Sequence, residues 1–242
     1  MRTLDGVPLD GADLRWAIPT PGQPPTSVAR PFLEFFAGSP LPEWDSFSRT
    51  IKIIRLRPQE ILYDVGEDHP YIYLVRRGSM RVGFTDARGR DCLLAFCRPP
   101  DLLASVSAIV PQGLRRLAEM PTGIVKMRAA AGIGVTNSKA SAVEATELER
   151  LDFHLMERLM ARHASWAMAV YNAMVLHTLV KERRERDLLT MSPEERYRQF
   201  LRDHDDLIGV VPQKDIAGYL GVTPVGLSRI ASRVRNGPAD ES

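Results

Sequence analysis

The sequence predicts an α+β chain, β-rich in its first half and helical from there to the end. Three observations carry that expectation. Between residues 51 and 103 the runs IKIIRL, EILYDV, YIYLVRR, SMRVGF and CLLAF are separated by turn-forming residues, as in an all-β barrel or sandwich. Residues 155–189 hold no Pro and no Gly and carry a helical pattern. After Met191, capping and turn residues recur at helical spacing.

Taken in order, residues 1–30 contain Pro19, Pro21, Gly22, Pro24 and Pro25 without a sustained period, and are expected to form a poorly ordered tail. Phe32, Leu33, Phe35, Phe36, Leu41 and Trp44 then cluster as in a short helix docking on the β-rich part. Within that part, Arg88-Gly89-Arg90 reads as a hairpin turn. Residues 111–140 show little turn discipline beyond a short helix expected over 114–120. The expected domains are therefore a tail at 1–30, a β domain at 31–150, a long helix at 151–190 and a helical domain at 191–242.

The middle of the long helix, from Trp166 through Leu176, is apolar around nearly its whole circumference and must be covered on more than one side. Trp166, Val170, Ala173, His177 and Val180 alternate in steps of four and three, the spacing of a coiled-coil seam between two copies. A central helix inside one monomeric core fits the same apolar pattern. Ser192, Pro193 and Glu195 then form a capping box that starts a new helix with Tyr197, Phe200 and Leu201 on its apolar face.

Composition narrows the function classes. The chain has 242 residues, 44% apolar and 26% charged, with a net charge of +2, ordinary for a water-soluble chain and too near neutral to diagnose a partner. No apolar run approaches the roughly 20 residues needed to span a bilayer, and MRTLDGVPLDGADLRW does not read as a signal peptide. Cys92 and Cys97 are too few for a disulfide framework, so a cytoplasmic, reducing compartment is expected. No catalytic set and no metal site are expected. A cupin-like enzyme needs several His from adjacent strands and the β region holds only His69. Nothing places a base beside either Cys, and phosphate-binding Gly loops are absent.

The segment that carries function is VPQKDIAGYLGVTPVGLSRIASRVR, residues 211–235. A first helix, Gln213–Leu220, buries Ile216, Ala217 and Leu220, and Gly221 ends it in a left-handed turn. Thr223 caps a second helix with Pro224 at its first position, and Leu227, Ile230 and Val234 point inward. The spacing is that of a helix-turn-helix, whose second helix enters the major groove of DNA. On that reading Arg229 offers a bidentate fork to guanine, Val225 meets a thymine methyl and Gly226 permits close approach. Gln213, Thr223 and Ser228 suit phosphate, and Arg233 and Arg235 neutralise backbone charge. Lys214, Arg229, Arg233 and Arg235 face a single anion, Asp215, between residues 207 and 236. A plain helical hairpin with a solvated Arg face has the same spacing.

Together these stretches resemble the catabolite activator/fumarate-nitrate regulator family of bacterial transcription factors. RPQEILYDVGEDHPYIYLVRRGSMRV is similar to that family's β-roll, with Gly66-Glu67, Tyr73 and Gly78 at turn positions, and Asp86–Gly89 to its next hairpin. SPEERYRQFL resembles the lead-in to its DNA-binding domain, and DIAGYLGVTPVGLSRI its helix-turn-helix. The similarity covers roughly residues 31–110 and 140–236. It implies a cyclic-nucleotide-binding-like β-roll (a double-stranded β-helix), a long dimerisation helix and a C-terminal DNA-binding domain. The implied partners are palindromic double-stranded DNA, a second copy of the chain and RNA polymerase.

The departures shape the expectation further. Where cyclic-nucleotide-binding members carry Gly-Glu this chain has Ala104-Ser105, and Thr136-Asn137-Ser138-Lys139 supplies no Arg for the cyclic phosphate. Cyclic AMP in the usual mode is therefore not expected. Iron–sulfur members need four cysteines. His69, His154, His163, His177, Cys92 and Cys97 are the side chains able to supply axial ligands to a haem. An effector is expected between the β-roll and the helix near Trp166 and His177, covered by residues 111–139; a regulator without effector is the alternative. With the chain ending soon after Asn236, a β-hairpin wing is expected to be missing or minimal. The rival reading is a protein–protein adaptor that retains the fold without specific DNA binding.

Overall fold

The computed structural model describes residues 27–111 and 132–236. They divide into two units that do not follow simple sequence order. One holds the residues up to Met80 together with Cys97–Ala173; the other holds Arg81–Phe96 together with the residues from Met174 onward.

The first unit is built on an antiparallel sheet of β1 (Lys52–Leu56), β8 (Thr146–Asp152), β3 (Tyr71–Arg77) and β6 (Leu102–Leu103), in that order. Leu56 pairs with Thr146 and Lys52 with Arg150; on the other side of β8, Tyr71 pairs with Asp152 and Val75 with Leu148. β2 (Ile61–Tyr63) pairs antiparallel with β7 (Lys139–Ala142). Leu74, Val75, Leu148 and Leu151 are fully buried and form the centre of this core. Beyond β3 the chain turns through Gly78 at φ +79, where a Cβ would lie 2.5 Å from the Ala145 carbonyl oxygen. Only Gly fits there, on both backbone and steric grounds.

Helix α1 (Ala29–Ala37) buries Ala29, Phe32, Leu33 and Phe36. Its start is fixed by Glu149 of β8, which is 1% exposed. This carboxylate accepts from the backbone N–H of Val28 and Ala29 and from the Ser27 hydroxyl, and lies 3.3 Å from Arg76. Of the expected tail, residues 1–26 lie outside the described ones, while Ser27–Arg30 are anchored rather than loose. The acid sits where a helix N-terminus favours negative charge.

Helix α2 (Trp44–Ser48) supplies aromatic cover for Trp166, whose ring stacks on Trp44 at 6.1 Å and meets Phe47 edge-on at 4.8 Å. The Trp166 indole N–H donates to the Pro42 carbonyl at 2.9 Å. The single helix expected over 155–189 is two. α3 (Phe153–Met160) is capped by the Asp152 side chain accepting from the Leu155 N–H, and α4 (Ala164–Thr190) begins after a break. Neither Pro nor Gly makes that break. It lies where His163 bonds Glu43 at 2.7 Å and Arg162 pairs with the same carboxylate at 3.2 Å, just ahead of Trp166. Tertiary partners override the uninterrupted helical pattern.

The second unit joins the hairpin of β4 (Met80–Thr85) and β5 (Asp91–Cys97) to the later part of α4 and the helices after it. At the hairpin tip the Asp86 carboxylate accepts from the N–H groups of Arg88 and Arg90 and pairs with the Arg90 guanidinium, while Gly89 takes φ +76. Helix α5 (Pro193–Asp203) opens with the expected capping box. The Glu195 N–H donates to Ser192 Oγ, and the Ser192 N–H donates to the Glu195 carboxylate. That backbone bond, reinforced by the Ser192 hydroxyl, holds the Glu195 carboxyl below its ordinary range. α6 (Gln213–Leu220) and α7 (Pro224–Asn236) complete the unit around Phe200, Leu207, Val211, Ile216, Leu220, Leu227 and Ile230, all buried.

The observed division, at residues 81, 97 and 174, differs from the boundaries expected near 150 and 190. Phe96 packs against Tyr219 at 5.4 Å and Phe200 at 6.3 Å within the second unit. No described helix is long and apolar enough to cross a membrane.

Candidate nucleic-acid interface

The two helices at the end of the chain meet through a turn whose every position has a local cause. α6 ends at Gly221, φ +69, and the Val222 N–H returns to the Ala217 carbonyl at 3.0 Å, the closure of a left-handed helix end. The Thr223 hydroxyl accepts from the Gly226 N–H at 3.1 Å and caps α7, with Pro224 at its first position. Leu227 and Ile230 are buried on one side of α7. The pair of helices is thereby held with one face inward and the other free.

On the free face Val225 is 64% exposed, and Ser228 and Arg229 are exposed with it. Gly226 is partly exposed, and a Cβ there would approach Thr223 Oγ1 to 3.2 Å. Gln213 lies exposed at the start of α6, and Thr223 at the start of α7. Capping uses the Thr223 oxygen as acceptor and leaves its O–H able to donate, for instance to a phosphate. Arg233 is exposed but 3.7 Å from Glu194, an exposed pair of small worth. Arg235 is exposed on the same helix.

Three residues to which the sequence assigned no positioning role hold this arrangement. Arg196 donates to the carbonyls of Leu220 at 3.1 Å, Met191 at 2.6 Å and Leu188 at 3.4 Å. Arg184 lies 3.8 Å over the Tyr219 ring and donates to the Tyr219 carbonyl at 2.6 Å. Burial weakens its hold on the proton, and Tyr219 opposes that. Asp215, buried in the first turn of α6, pairs with Arg81 at 2.6 Å. Arg184 lies in the charged run of residues 181–186, which reads by default as solvated, and Asp215 stands out in the sequence only as the single anion between residues 207 and 236.

The α4 residues expected to form a seam divide. Trp166, Val170 and Ala173 are buried within one chain, so they serve its own core and are not free to meet another copy. His177 is partly buried, with burial and then Lys181 lowering its pKa below 6.5. Val180 is exposed. The exposed apolar residues of the helix are Met168, Tyr171, Val175, Leu176, Leu179, Val180, Leu188 and Leu189. Because the helix is apolar nearly all round, the apolar pattern by itself does not single out one stripe.

In the first unit, the positions that differ from the cyclic-nucleotide pattern are occupied by internal bonds. Ser105 Oγ lies 3.0 Å from Ser107 Oγ and accepts from the Asn137 N–H at 3.3 Å. The Thr136 hydroxyl donates to the Asp64 carbonyl and accepts from the Glu67 N–H. Lys139 pairs with Asp64 at 3.3 Å. Trp44 and Phe47 pack on the Trp166 ring at the expected effector position; most of the expected covering segment, 112–131, lies outside the described residues, as do the short helix at 114–120 and everything after Asn236.

The side chains considered for haem are dispersed among other partners. His69 bonds the Tyr73 hydroxyl at 2.8 Å, His154 lies 3.8 Å from Glu157, and His163 bonds Glu43. Cys92 and Cys97 are free thiols, and burial pushes the Cys97 thiol well up. Among the described residues no group of three or more His, Cys, Asp or Glu side chains is placed to hold a metal ion.

No family model and no curated protein matches the chain. Solved structures do. The chain is similar to FixK2 from Bradyrhizobium japonicum, with a TM-score of 0.59 and 21% identity over 77% of this chain and 85% of that one. It is similar to a protein from Eubacterium rectale described as a transcriptional regulator of the CRP/FNR family, with a TM-score of 0.60 and 15% identity over 81% and 87%. It is also similar to CLP, a c-di-GMP-responsive global regulator from Xanthomonas campestris, with a TM-score of 0.57 and 12% identity over 80% and 90%. The fold is that of CRP/FNR regulators, and it agrees with the β-roll, long helix and helix-turn-helix expected from the sequence.

Proposed function

We propose that this chain is a sequence-specific DNA-binding transcription regulator and acts as a homodimer, without catalytic activity. The observation that carries the reading is the outer face of α7, where Val225, Ser228 and Arg229 stand exposed on a helix fixed by the Gly221 turn and the Thr223 cap. A helix presented in this way can enter a major groove. Arg229 is then the principal base-reading residue, Val225 meets a thymine methyl and Gly226 lets the helix sit close. Gln213, Thr223, Ser228, Arg233 and Arg235 hold the DNA backbone.

Two-fold pairing is supported by the row Met168, Tyr171, Val175 and Leu179, spaced by three, four and four along α4, with Leu176 and Val180 beside it. In this proposal that row, rather than Trp166, Val170 and Ala173, meets the second copy. Self-complementary pairing of one helix stripe is the usual geometry of a C2 dimer.

The sensor does not take cyclic AMP in the family's usual mode. Its support is that Ser105, Thr136 and Asn137 are tied to one another or to neighbouring backbone, and Lys139 is paired with Asp64. The proposed setting is the cytoplasm, with palindromic DNA and RNA polymerase as partners.

Selection of bound sequences from random double-stranded DNA tests the reading. A palindromic site is expected, its half-sites about one helical turn apart. On that site Arg229→Ala is expected to cost about 1–3 kcal/mol and to relax preference at one position. Arg233→Ala is expected to weaken all sequences equally and to lower the salt dependence. Failure to enrich any sequence would overturn the regulator and leave the adaptor reading.

A further inference from the structure

The first turn of α5 holds two adjacent acids with different employment. Glu195 is committed to the capping box through the Ser192 N–H. Glu194 stands outside that box. One of its carboxylate oxygens accepts from Arg198 Nη2 at 2.8 Å, and the other lies 3.7 Å from Arg233 Nε. Arg198 is a local partner, four residues on along the same helix. Arg233 comes from α7, where Val225, Arg229 and Arg233 recur at steps of four, all exposed. Glu194 therefore reaches across to the end of the stripe assigned to DNA. On α5 the next residue at the same spacing is Arg202, also exposed. Three arginines thus share this edge of the second unit with one carboxylate.

We propose that Glu194 is an internal stand-in for a DNA phosphate: it occupies Arg198 and Arg233 in the free protein and yields them to the backbone of the duplex. This rests on the DNA-binding reading above and adds Arg198 of α5 to the surface that DNA touches. A guanidinium binds carboxylate and phosphate alike, through N–H groups directed at anionic oxygens. The side chains of Glu194, Arg198 and Arg233 are 33%, 45% and 67% exposed, so the group is open to an incoming anion. Ion pairs this exposed are worth little and exchange partners readily. Once it has yielded the arginines, Glu194 faces the phosphate as a like charge. Both effects act against every duplex equally, because backbone contacts carry no base information. Glu194 therefore limits non-specific holding of DNA and leaves the choice of sequence to Arg229 and Val225.

The test uses the full-length protein and Glu194→Gln, which keeps the shape of the side chain and removes its charge. Fluorescence anisotropy against the selected site and against a random duplex, each across a salt series, gives affinity and salt dependence. Glu194→Gln is expected to tighten both about three- to tenfold near about 0.1 M salt and to steepen the log–log salt slope by about one. The ratio of the two affinities should stay as in the wild type. With Arg198→Ala and Arg233→Ala already in place, the same substitution should gain less than about twofold, since no arginine is left to release. A full gain in that background would mark plain repulsion of DNA by the acid and overturn the stand-in. Wild-type affinity and slope in Glu194→Gln would overturn it too. Heparin, a polyanion without bases, repeats the comparison without DNA, and Glu194→Gln should elute from it at higher salt. A wild-type protein that selects no DNA would be a failure of the DNA reading alone, because the heparin shift, present or absent, still decides for or against the stand-in.

Discussion

The carboxylate of Glu149 accepts the backbone N–H of Ala29 at 2.9 Å, joining the last strand of the sheet to the first turn of α1 across 120 residues of sequence. Its other oxygen takes the Val28 N–H at 3.1 Å and lies 3.3 Å from Arg76. Nearly fully buried, this acid is tolerated because donors surround it. Glu149→Ala should destabilise the first unit by about 3–5 kcal/mol, since it strips a buried Arg of one partner, takes the acceptor of the Val28 N–H and leaves the Ala29 N–H only the Ser27 hydroxyl. Urea unfolding monitored by tryptophan fluorescence checks this, and Glu149→Gln should lose less because an amide oxygen can still accept.

Gly78 and Gly221 share a left-handed backbone but differ in surroundings. A Cβ at Gly78 would collide with the Ala145 carbonyl at 2.5 Å; at Gly221 the nearest atom, Leu188 Cδ2, is 3.7 Å away. Gly221→Ala should cost about 1–2 kcal/mol, the backbone penalty alone. Gly78→Ala should cost clearly more and lower the expression of folded protein. Thermal denaturation of the two variants side by side gives the comparison.

Burial depresses the pKa of His177, Lys181 adds to the effect, and burial likewise depresses that of His69 against the opposing charge of Glu67. Below 6.5 the unfolded chain binds protons that these folded histidines resist. Their contribution is complete above that pH and is lost as the pH falls through the folded values. The melting temperature should therefore drop between pH 7.5 and pH 5, and His177→Gln should flatten part of that drop. An unchanged profile in the variant would show that His177 does not carry it.

Two substitutions on α4 separate its two faces. Leu179→Glu places a charge on the exposed apolar row and should convert a dimer to a folded monomer with lower DNA affinity. Trp166→Ala removes a fully buried indole from Trp44 and Phe47 and should cost about 3–5 kcal/mol in folding. Sedimentation and circular dichroism read the two effects apart. A dimer unperturbed by Leu179→Glu would place the second copy elsewhere.

The parts of this molecule legible beforehand are those whose cause is local. Ser192 with Glu195 marks a helix start within four residues, and Gly221, Thr223 and Pro224 mark a turn and a cap, so α6 was expected at the residues it occupies. What was not legible depends on partners far away in sequence. The break before α4 answers to Glu43, Trp44 and Phe47, some 120 residues earlier, and nothing within 155–189 signals it. The allegiance of the second hairpin depends on Arg81 meeting Asp215, 134 residues apart. The stripe of α4 free for a partner depends on which side its own core already covers.

The path of the backbone leaves no single place to divide the protein. A cut near residue 174 would yield an early fragment still carrying Arg81, Leu93 and Phe96, and a late fragment with Asp215, Tyr219 and Phe200 stripped of their cover. Neither piece would be a faithful copy of the unit it came from. A free-standing DNA-reading head would need the 81–96 hairpin grafted back, by circular permutation or as a separate strand pair supplied in trans.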